Sequence, residues 1–497
     1  MRQGVIDKRS GGAVKYRYMN GSAHVKAEEN ETGIQTLSET APEGSKESLT
    51  GKAAFAQRLL VSVCIFVAVY HAVMSMLSLF SFFSDMSVFR YTELGLFAAL
   101  GACALYCLRV CRPRIRLSAE PALLAGMLVW LGVSCLVMSL RYGVNAFVFN
   151  RVQLADTAAE TLVFFPLGAA CGRGRARREL KAVLAAAMAC WTAFVVVALI
   201  KAFTGGIIEM PGGRNVGMYN NTLWLGNHHN FSAAVEMLCF LLCVIMGIMA
   251  KKRLSRGAFL LFASVHFCAL VLTNSRTALI SALFGLALTL GVCVRWAYKV
   301  RKAGRGGKKR WTAAALLCVI LILAAVLSRQ VPFLRLDDEE FYFREIVDST
   351  FSTLNGRTLI WSSALEGTLS DAQRVLTGVT PAGITKLISD ASMGEVAHAP
   401  HAHNHFIQLL AALGVPGLSA FCAWLFLILK SGVKQALRGD RETMFILAVI
   451  LSVLLSNFTE ALIMFFETVN GHVFFLLCGV IYGKKLRDAR SWSKEDA

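Results

Sequence analysis

The segment His-Asn-His-Phe, which begins at His403, places a group that could handle a proton beside groups that could bind a substrate. An imidazole changes its charge near neutral pH, so His403 could orient a hydroxyl group or accept its proton. Asn404 could cap a helix that begins directly after it, and with His405 it could bind substrate. The predicted chemistry is general base catalysis on a hydroxyl nucleophile. The alternative is that His403 donates a hydrogen bond to a diphosphate group.

Two arginines could supply the anion-binding part of such a site, Arg214 and Arg276, each in a polar stretch next to an apolar run. Arg357 is a further candidate for substrate binding. A guanidinium group donates two aligned hydrogen bonds, which suits a phosphate or diphosphate group. His229 and Asn230 follow Arg214 in the same polar stretch and could line the path of a substrate. An isolated arginine at a helix end often extends to the membrane surface instead, and this is the structural alternative for Arg276.

The histidines also raise the alternative of a metal site. His398, His401, His403 and His405 lie close together in sequence, and zinc needs three or four ligands in suitable geometry. Local spacing permits such a site without requiring it. The acidic run at 337–340 is typical of a solvated surface rather than of a magnesium site. We therefore expect catalysis without a metal or another cofactor.

The composition predicts the kind of protein that must position these residues. Of the 497 residues, 56% are apolar and only 17% are charged, whereas soluble chains are about 25% charged. The net charge of +19 comes from cations that cluster between apolar runs, which records membrane topology rather than nucleic-acid binding. The 14 cysteines fall within or at the ends of apolar runs, so no disulfide framework is indicated. The fold class predicted is an all-α polytopic membrane protein.

Twelve apolar runs are candidate membrane-spanning helices, since each approaches the 20 or so residues that a span needs. They lie at 59–83, 93–110, 121–140, 152–171, 182–203, 230–250, 257–273, 277–297, 311–328, 405–429, 442–457 and 461–482. Cation-rich connections alternate with cation-poor ones, which predicts that both termini are cytoplasmic.

The predicted organisation has five parts. Residues 1–57 form a disordered cytoplasmic tail, 58–328 contain helices one to nine, and 329–403 form a large extracytoplasmic loop. Residues 404–483 contain helices ten to twelve, and 484–497 form a second cytoplasmic tail. Five carboxylates fall in the predicted outer halves of the spans, namely Asp156, Glu160, Glu236, Glu460 and Glu467. Such groups are costly in a membrane, so they suggest a polar cavity open to the outer face; the alternative is that each lies near the interface.

The stretch HNHFIQLLAALGVPG resembles the signature of the O-antigen ligase family, in which His and a polar residue are followed by Gly after nine residues and a second Gly shortly beyond. Here the two glycines are Gly414 and Gly417, and we expect them to permit close helix packing. Three further stretches are similar to elements of that family: TNSRTALI at 273–280, Arg214 and Gly217 followed by Asn230 to Ala233, and Arg357 with Trp361.

The resemblance implies a membrane glycosyltransferase with a GT-C-like helical fold and its active site on the extracytoplasmic face of the cytoplasmic membrane. Such enzymes move a glycan from a polyprenyl-diphosphate carrier to a hydroxyl acceptor without ATP or metal. In the family's pattern, His403, Arg276 and Arg214 are the catalytic positions. The acceptor stays open between lipid A–core, a growing polysaccharide and other acceptors. The competing functions are a twelve-helix transporter or lipid-linked glycan flippase and a peptidoglycan polymerase of the shape, elongation and division type, whose motifs we do not recognise.

Overall fold

The structure is a computed structural model. It describes residues 51–77, 95–96, 98–106, 109, 118–174, 177–210, 214–219, 222–226, 229–302, 357–394, 399, 401–465 and 469–495. The helices of the first half are α1 (Gly51–Leu77), α2 (Ala119–Tyr142), α3 (Ala146–Phe149), α4 (Arg151–Ala159), α5 (Phe165–Gly172), α6 (Arg177–Phe203), α7 (His229–Met249), α8 (Arg253–Leu272) and α9 (Arg276–Lys302). Those of the second half are α10 (Arg357–Leu369), α11 (Ala372–Thr377), α12 (Ile384–Ala391), α13 (His405–Leu437), α14 (Arg441–Ser456) and α15 (Val469–Glu495).

The protein is a mostly helical polytopic membrane protein. Among the described residues, seven helical segments are long and apolar enough to cross a membrane. They are Ala119–Tyr142, Arg151–Gly172, Leu184–Phe203, His229–Met249, Arg253–Leu272, Arg276–Tyr298 and His405–Leu437. These seven correspond to seven of the twelve predicted spans. The predicted span at 311–328 lies outside the described residues, and the one at 93–110 is described only in part.

The last predicted span was wrong in its bounds. We predicted a helix over 461–482, but α15 begins at Val469. Residues 461–465 are not helical, although Ala461, Ile463 and Phe465 are at most 1% exposed. Apolar composition alone does not separate a buried irregular segment from a helix, because both exclude water. The backbone polar groups of this irregular segment must therefore find hydrogen-bond partners within the protein. Leu462 N, for example, donates to the Asn457 side chain at 2.6 Å.

A small sheet departs from the all-α prediction. Strands β1 (Ile207–Met210), β2 (Arg214–Tyr219) and β3 (Thr222–Leu225) form an antiparallel sheet in the order β1-β2-β3. Apolar side chains alternate along this segment, and Val216, Leu223 and Leu225 pack with residues of α6, α7 and α8. The sheet therefore covers the end of the bundle where α8 turns into α9, since Leu272 belongs to the same cluster.

Two structural devices let helices approach closely or bend. Glycines spaced four apart on α5 (Gly168, Gly172) and α15 (Gly479, Gly483) face one another, and a Cβ on any of them would meet backbone of the other helix. Small residues at this spacing are a common means of close helix packing in membranes.

The span from α4 to α5 contains a π-helical turn over Glu160–Phe164 directly before Pro166. A π turn absorbs the backbone irregularity that proline imposes on a helix.

The signature glycine Gly414 breaks α13. Its φ is positive, at 67°, and the carbonyl group of residue 412 has no helical donor because residue 416 is proline. Val379 N and Thr380 N donate to Ala411 O and Ala412 O at 2.8 and 3.0 Å, and Trp130 Nε1 donates to Leu413 O at 2.9 Å. Gly414 thus lets α11 approach the kink closely, because a Cβ at this position would lie 2.5 Å from Val375 O and Leu376 O. Gly417 packs against Leu413 of the same helix.

Candidate active site

The site is built around the start of α13. The Asn404 side chain caps this helix, because its Oδ1 accepts hydrogen bonds from Phe406 N at 3.0 Å and Ile407 N at 3.1 Å. Its Nδ2 donates to Phe458 O at 2.9 Å, which ties the helix start to the segment that follows α14. His405 N donates to Asn457 O at 2.9 Å and strengthens the same connection. The two chain segments that carry His403 and Glu460 are therefore held side by side.

His403 and Glu460 form the centre of the site. His403 Nδ1 lies 3.2 Å from Glu460 Oε2, and the other carboxylate oxygen accepts a hydrogen bond from Arg357 at 2.6 Å. His403 is in the left-handed region of backbone space, with φ of 46°. That conformation costs a non-glycine residue roughly 1–2 kcal/mol, and such outliers cluster at functional sites.

Burial and charge compete at Glu460. Burial alone raises the pKa of its carboxyl, but the hydrogen bond from His403 and the positive charge of Arg357 outweigh it, so the pKa is lowered overall. The carboxylate therefore stays ionised at neutral pH, and its contribution is lost only as the pH falls through that lowered value. An ionised carboxylate can only accept, so the proton of a neutral His403 lies on Nδ1 and the lone pair on Nε2.

Two further side chains support His403. Trp361 Nε1 donates to His403 O at 3.4 Å, so both ends of the Arg-x-x-x-Trp stretch on α10 reach the cluster. The centre of the His401 ring lies 4.0 Å from that of the His403 ring, with the two planes tilted by 48°, and His401 Nδ1 accepts the His403 backbone N–H at 3.1 Å. The side chain of His403 is 20% exposed, which leaves its ring accessible from one side.

His401, His403 and Glu460 could also hold a metal ion. One possible ligand atom of each lies within 4.8 Å of the others. This group differs from the four histidines weighed from sequence, because it includes Glu460 and not His405, and because His398 lies outside the described residues. In the observed arrangement both Glu460 oxygens already accept hydrogen bonds, and His401 Nδ1 is an acceptor as well.

The loop between the predicted ninth and tenth spans is anchored at the same end of the bundle. Arg141 at the end of α2 forms a two-point pair with Asp371, whose side chain caps α11. The hydrogen bond from Arg141 lowers the pKa of Asp371 to about 2, so the pair persists at neutral pH and is lost only in strong acid. Asn150 binds Thr380 and Ala382 N, at 3.0 and 2.9 Å. Together with the bonds from Val379 N and Thr380 N to α13, these contacts fix residues 371–382 against the bundle.

The other predicted binding residues lie at the same end but in different elements. Helix α9 runs antiparallel to α14, with Gly285 beside Ser452 and Trp296 beside Arg441. This register sets Arg276, the first residue of α9, level with the segment that holds Glu460. Arg214 begins β2, and its side chain lies outside the described residues. His229 and Asn230 begin α7 and are half-buried, with the Trp224 ring 6.0 Å from His229.

The prediction made for His405 needs correction. We predicted it as a substrate-binding residue, but its side chain is fully buried, with the rings of Phe421 and Phe406 5.1 and 6.3 Å away. Asn404 caps the start of α13 and so fixes the orientation of its first turn. In this orientation the side chain of His405 faces the core. It offers a substrate no surface in this conformation.

The predicted intramembrane carboxylates do not share one cavity. Glu236 accepts a hydrogen bond from Trp191 Nε1 and pairs with His266 Nδ1, both at 2.7 Å, in a fully buried cluster. Asp156 lies 3.1 Å from His472 Nε2 and near Glu160 in a second buried cluster. Glu460 belongs to the site, and Glu467 lies outside the described residues.

Sequence reasoning missed the histidines that pair with these carboxylates and the direct partnership between Glu460 and His403. The signal available was a histidine inside an apolar run, as at His266 and His472, where a polar side chain needs a partner. The pairing itself joins residues far apart in the sequence, such as His403 and Glu460. No local spacing reports it.

The fold and the site define a class: a polytopic helical membrane protein with an imidazole, a carboxylate and an arginine joined at one end of the bundle. Residues 258–422 match the sequence model of a family described as O-Antigen ligase, and this match supports assigning the chain to the O-antigen ligase family. The matched region contains Arg276, Arg357, His403, Gly414 and Gly417, whereas Arg214 and Glu460 lie outside it. No curated protein matches the chain.

Proposed function

We propose that the protein is a glycosyltransferase that moves a glycan from a polyprenyl-diphosphate carrier to a hydroxyl acceptor at the outer face of the cytoplasmic membrane. Assignment to the O-antigen ligase family supports a membrane glycosyltransferase of the ligase or polymerase type. The single observation that carries the finer proposal is the hydrogen-bonded series Arg357–Glu460–His403.

The series explains how His403 can act as the base. Ionised Glu460 accepts the Nδ1 proton, and this holds the Nε2 lone pair ready for the acceptor hydroxyl. The hydroxyl oxygen forms a bond to the sugar's anomeric carbon while its proton passes to Nε2. The bond between that carbon and the diphosphate oxygen breaks, and the electron pair leaves with the lipid diphosphate. Arg357 acts through Glu460, as a positioning residue that keeps the carboxylate charged and in place.

The leaving diphosphate needs positive charge that is not already used by Glu460. Arg276 is level with the site at the start of α9, and Arg214 lies in the sheet that covers the same end. Two guanidinium groups from different elements could hold the diphosphate from two sides. The diphosphate is a good leaving group by itself, so the proposed reaction uses neither ATP nor a metal.

The test compares two neighbouring histidines in purified protein supplied with lipid-linked donor and acceptor. His403→Ala should reduce transfer about 10²- to 10⁴-fold, the usual contribution of a general base. His401→Ala should cost much less, because His401 contacts the backbone of His403 rather than the proposed hydroxyl. A chelator should leave the wild-type rate unchanged. Equal losses at both histidines together with chelator sensitivity would indicate a metal site and overturn the mechanism.

The acceptor can be identified in a deletion strain by mass spectrometry of its surface glycans and lipid-linked intermediates. Full-length lipid-linked polymer would indicate a ligase, and single lipid-linked repeat units would indicate a polymerase. The transporter or flippase alternative is not favoured by the family match.

A further inference from the structure

A small notch opens at the opposite end of the bundle from the candidate active site. It is shallow and open to solvent, with a cavity volume of about 10 Å³, and is lined by Val292, Arg295, Trp296, Gly439, Arg441 and Met444. Helix α9 supplies the first three of these residues, Gly439 lies in the turn before α14, and Arg441 and Met444 lie in the first turn of α14. The notch therefore sits where one helix leaves the membrane and another enters it.

The position follows from the lengths and directions of the helices. Arg276 and Arg295 are separated by 19 residues of α9, a rise of about 28 Å and close to the thickness of the hydrocarbon core. Helix α14 begins at Arg441 and ends beside the segment that carries Glu460. The notch and the site thus lie at opposite membrane surfaces.

The lining combines positive charge with an exposed aromatic ring. The Arg441 guanidinium lies 5.5 Å from the Trp296 ring centre and 5.2 Å from that of Phe445, so two aromatic rings hold it in place. Arg295 is exposed at the rim, and Trp296 is 38% exposed. Tryptophan and arginine are the residues that membrane proteins use at the level of lipid headgroups.

The acidic residues next to the notch in sequence are turned away from it. Lys484 is nearly buried, and its Nζ lies 2.8 Å from Asp440 Oδ2 and 3.0 Å from Glu442 Oε2. Both carboxylates are thereby drawn toward α15. The six lining residues include two arginines and no acid, so the notch carries a net positive charge.

We propose that this notch binds the phosphate headgroup of an anionic phospholipid, at the membrane surface opposite the candidate active site. The positive lining attracts the phosphodiester, and Trp296 packs beside the glycerol and upper acyl region. A free phosphate ion shares the charge chemistry, but it gains nothing from the apolar wall formed by Val292 and Met444. The headgroup of a neutral lipid lacks the net charge. This site is independent of the proposed glycosyl transfer.

Native mass spectrometry of the full chain in detergent, titrated with phosphatidylglycerol, tests the proposal. Arg295→Gln should weaken binding of this lipid about fivefold, the contribution expected of one basic residue near anionic lipid. The matched control is Arg253→Gln, which removes an exposed arginine at the start of α8, outside the notch. It should leave the affinity unchanged. An unaltered unfolding temperature in phosphatidylcholine confirms that both variants fold.

Two results would overturn the assignment. The first is an equal change, or none, in Arg295→Gln and Arg253→Gln, which would mean that the notch does not bind the lipid. The second is displacement of phosphatidylglycerol by inorganic phosphate at equal concentration, which would indicate a site for a soluble anion. Preferential loss of phosphatidylglycerol in Arg295→Gln, with phosphatidylcholine binding unchanged, supports it.

Discussion

Replacing Glu460 by glutamine should disable His403 while preserving the shape of the site. The guanidinium group of Arg357 can only donate, so the amide oxygen of the new side chain must face it, in place of Oε1. The amide NH₂ then faces His403 Nδ1 and donates to it. This forces the imidazole proton onto Nε2, where the base needs its lone pair.

The expected loss is large because the tautomer, rather than one hydrogen bond, is changed. A misdirected imidazole forfeits most of the contribution of general base catalysis, so turnover should fall about 10²- to 10⁴-fold. The Michaelis constant for the lipid-linked donor should change little, since Glu460 contacts His403 and Arg357 rather than the proposed substrate. Glu366→Gln, an exposed carboxylate on α10, is the matched control and should keep full activity.

Steady-state transfer from purified lipid-linked donor measures both quantities. If Glu460 acts only through His403, the double variant His403→Ala, Glu460→Gln should be no slower than His403→Ala alone. Turnover in Glu460→Gln close to that of the wild type would refute the reasoning. So would losses that multiply in the double variant, because they would show that the two side chains act independently.

Two further outcomes are expected. Arg276→Lys and Arg214→Lys should each lower turnover about tenfold or more, because an ammonium group loses the second aligned hydrogen bond to a diphosphate; near-normal turnover in both lysine variants at normal protein abundance would exclude the clamp. Gly414→Ala should destabilise the protein by at least about 2 kcal/mol, since alanine at φ of 67° is strained and its Cβ would lie 2.5 Å from Val375 O and Leu376 O; Gly126→Ala, where a Cβ meets nothing within 4 Å, is the control in a thermal unfolding assay.

Much of the membrane architecture followed from composition. Long apolar runs in a chain that is 56% apolar must be helical where they meet lipid, because only internal hydrogen bonds satisfy their backbone. Seven predicted spans are therefore present among the described residues. The capping role of Asn404 was also predictable, because the preference of asparagine for helix starts is a local effect.

Composition failed to predict the secondary structure where apolar residues are buried within the protein rather than exposed to lipid. Residues 461–465 are as apolar as a span but are irregular, since Asn457 supplies a hydrogen-bond partner that a helix would otherwise provide. The sheet over 207–225 was missed for a related reason. Its short alternating strands are stable only because they cover the ends of α6, α7 and α8.

For the site, the sequence by itself determined which residue types stand where a helix begins, and so it singled out His403, Asn404 and the arginines. Only the tertiary structure decided their relationships. It joined His403 to Glu460, 57 positions away, it paired Arg357 with that carboxylate, and it turned His405 into the core. The physical reason is that a hydrogen bond requires two groups within about 3 Å in a fixed orientation, and residues distant in sequence reach that geometry only when helices pack.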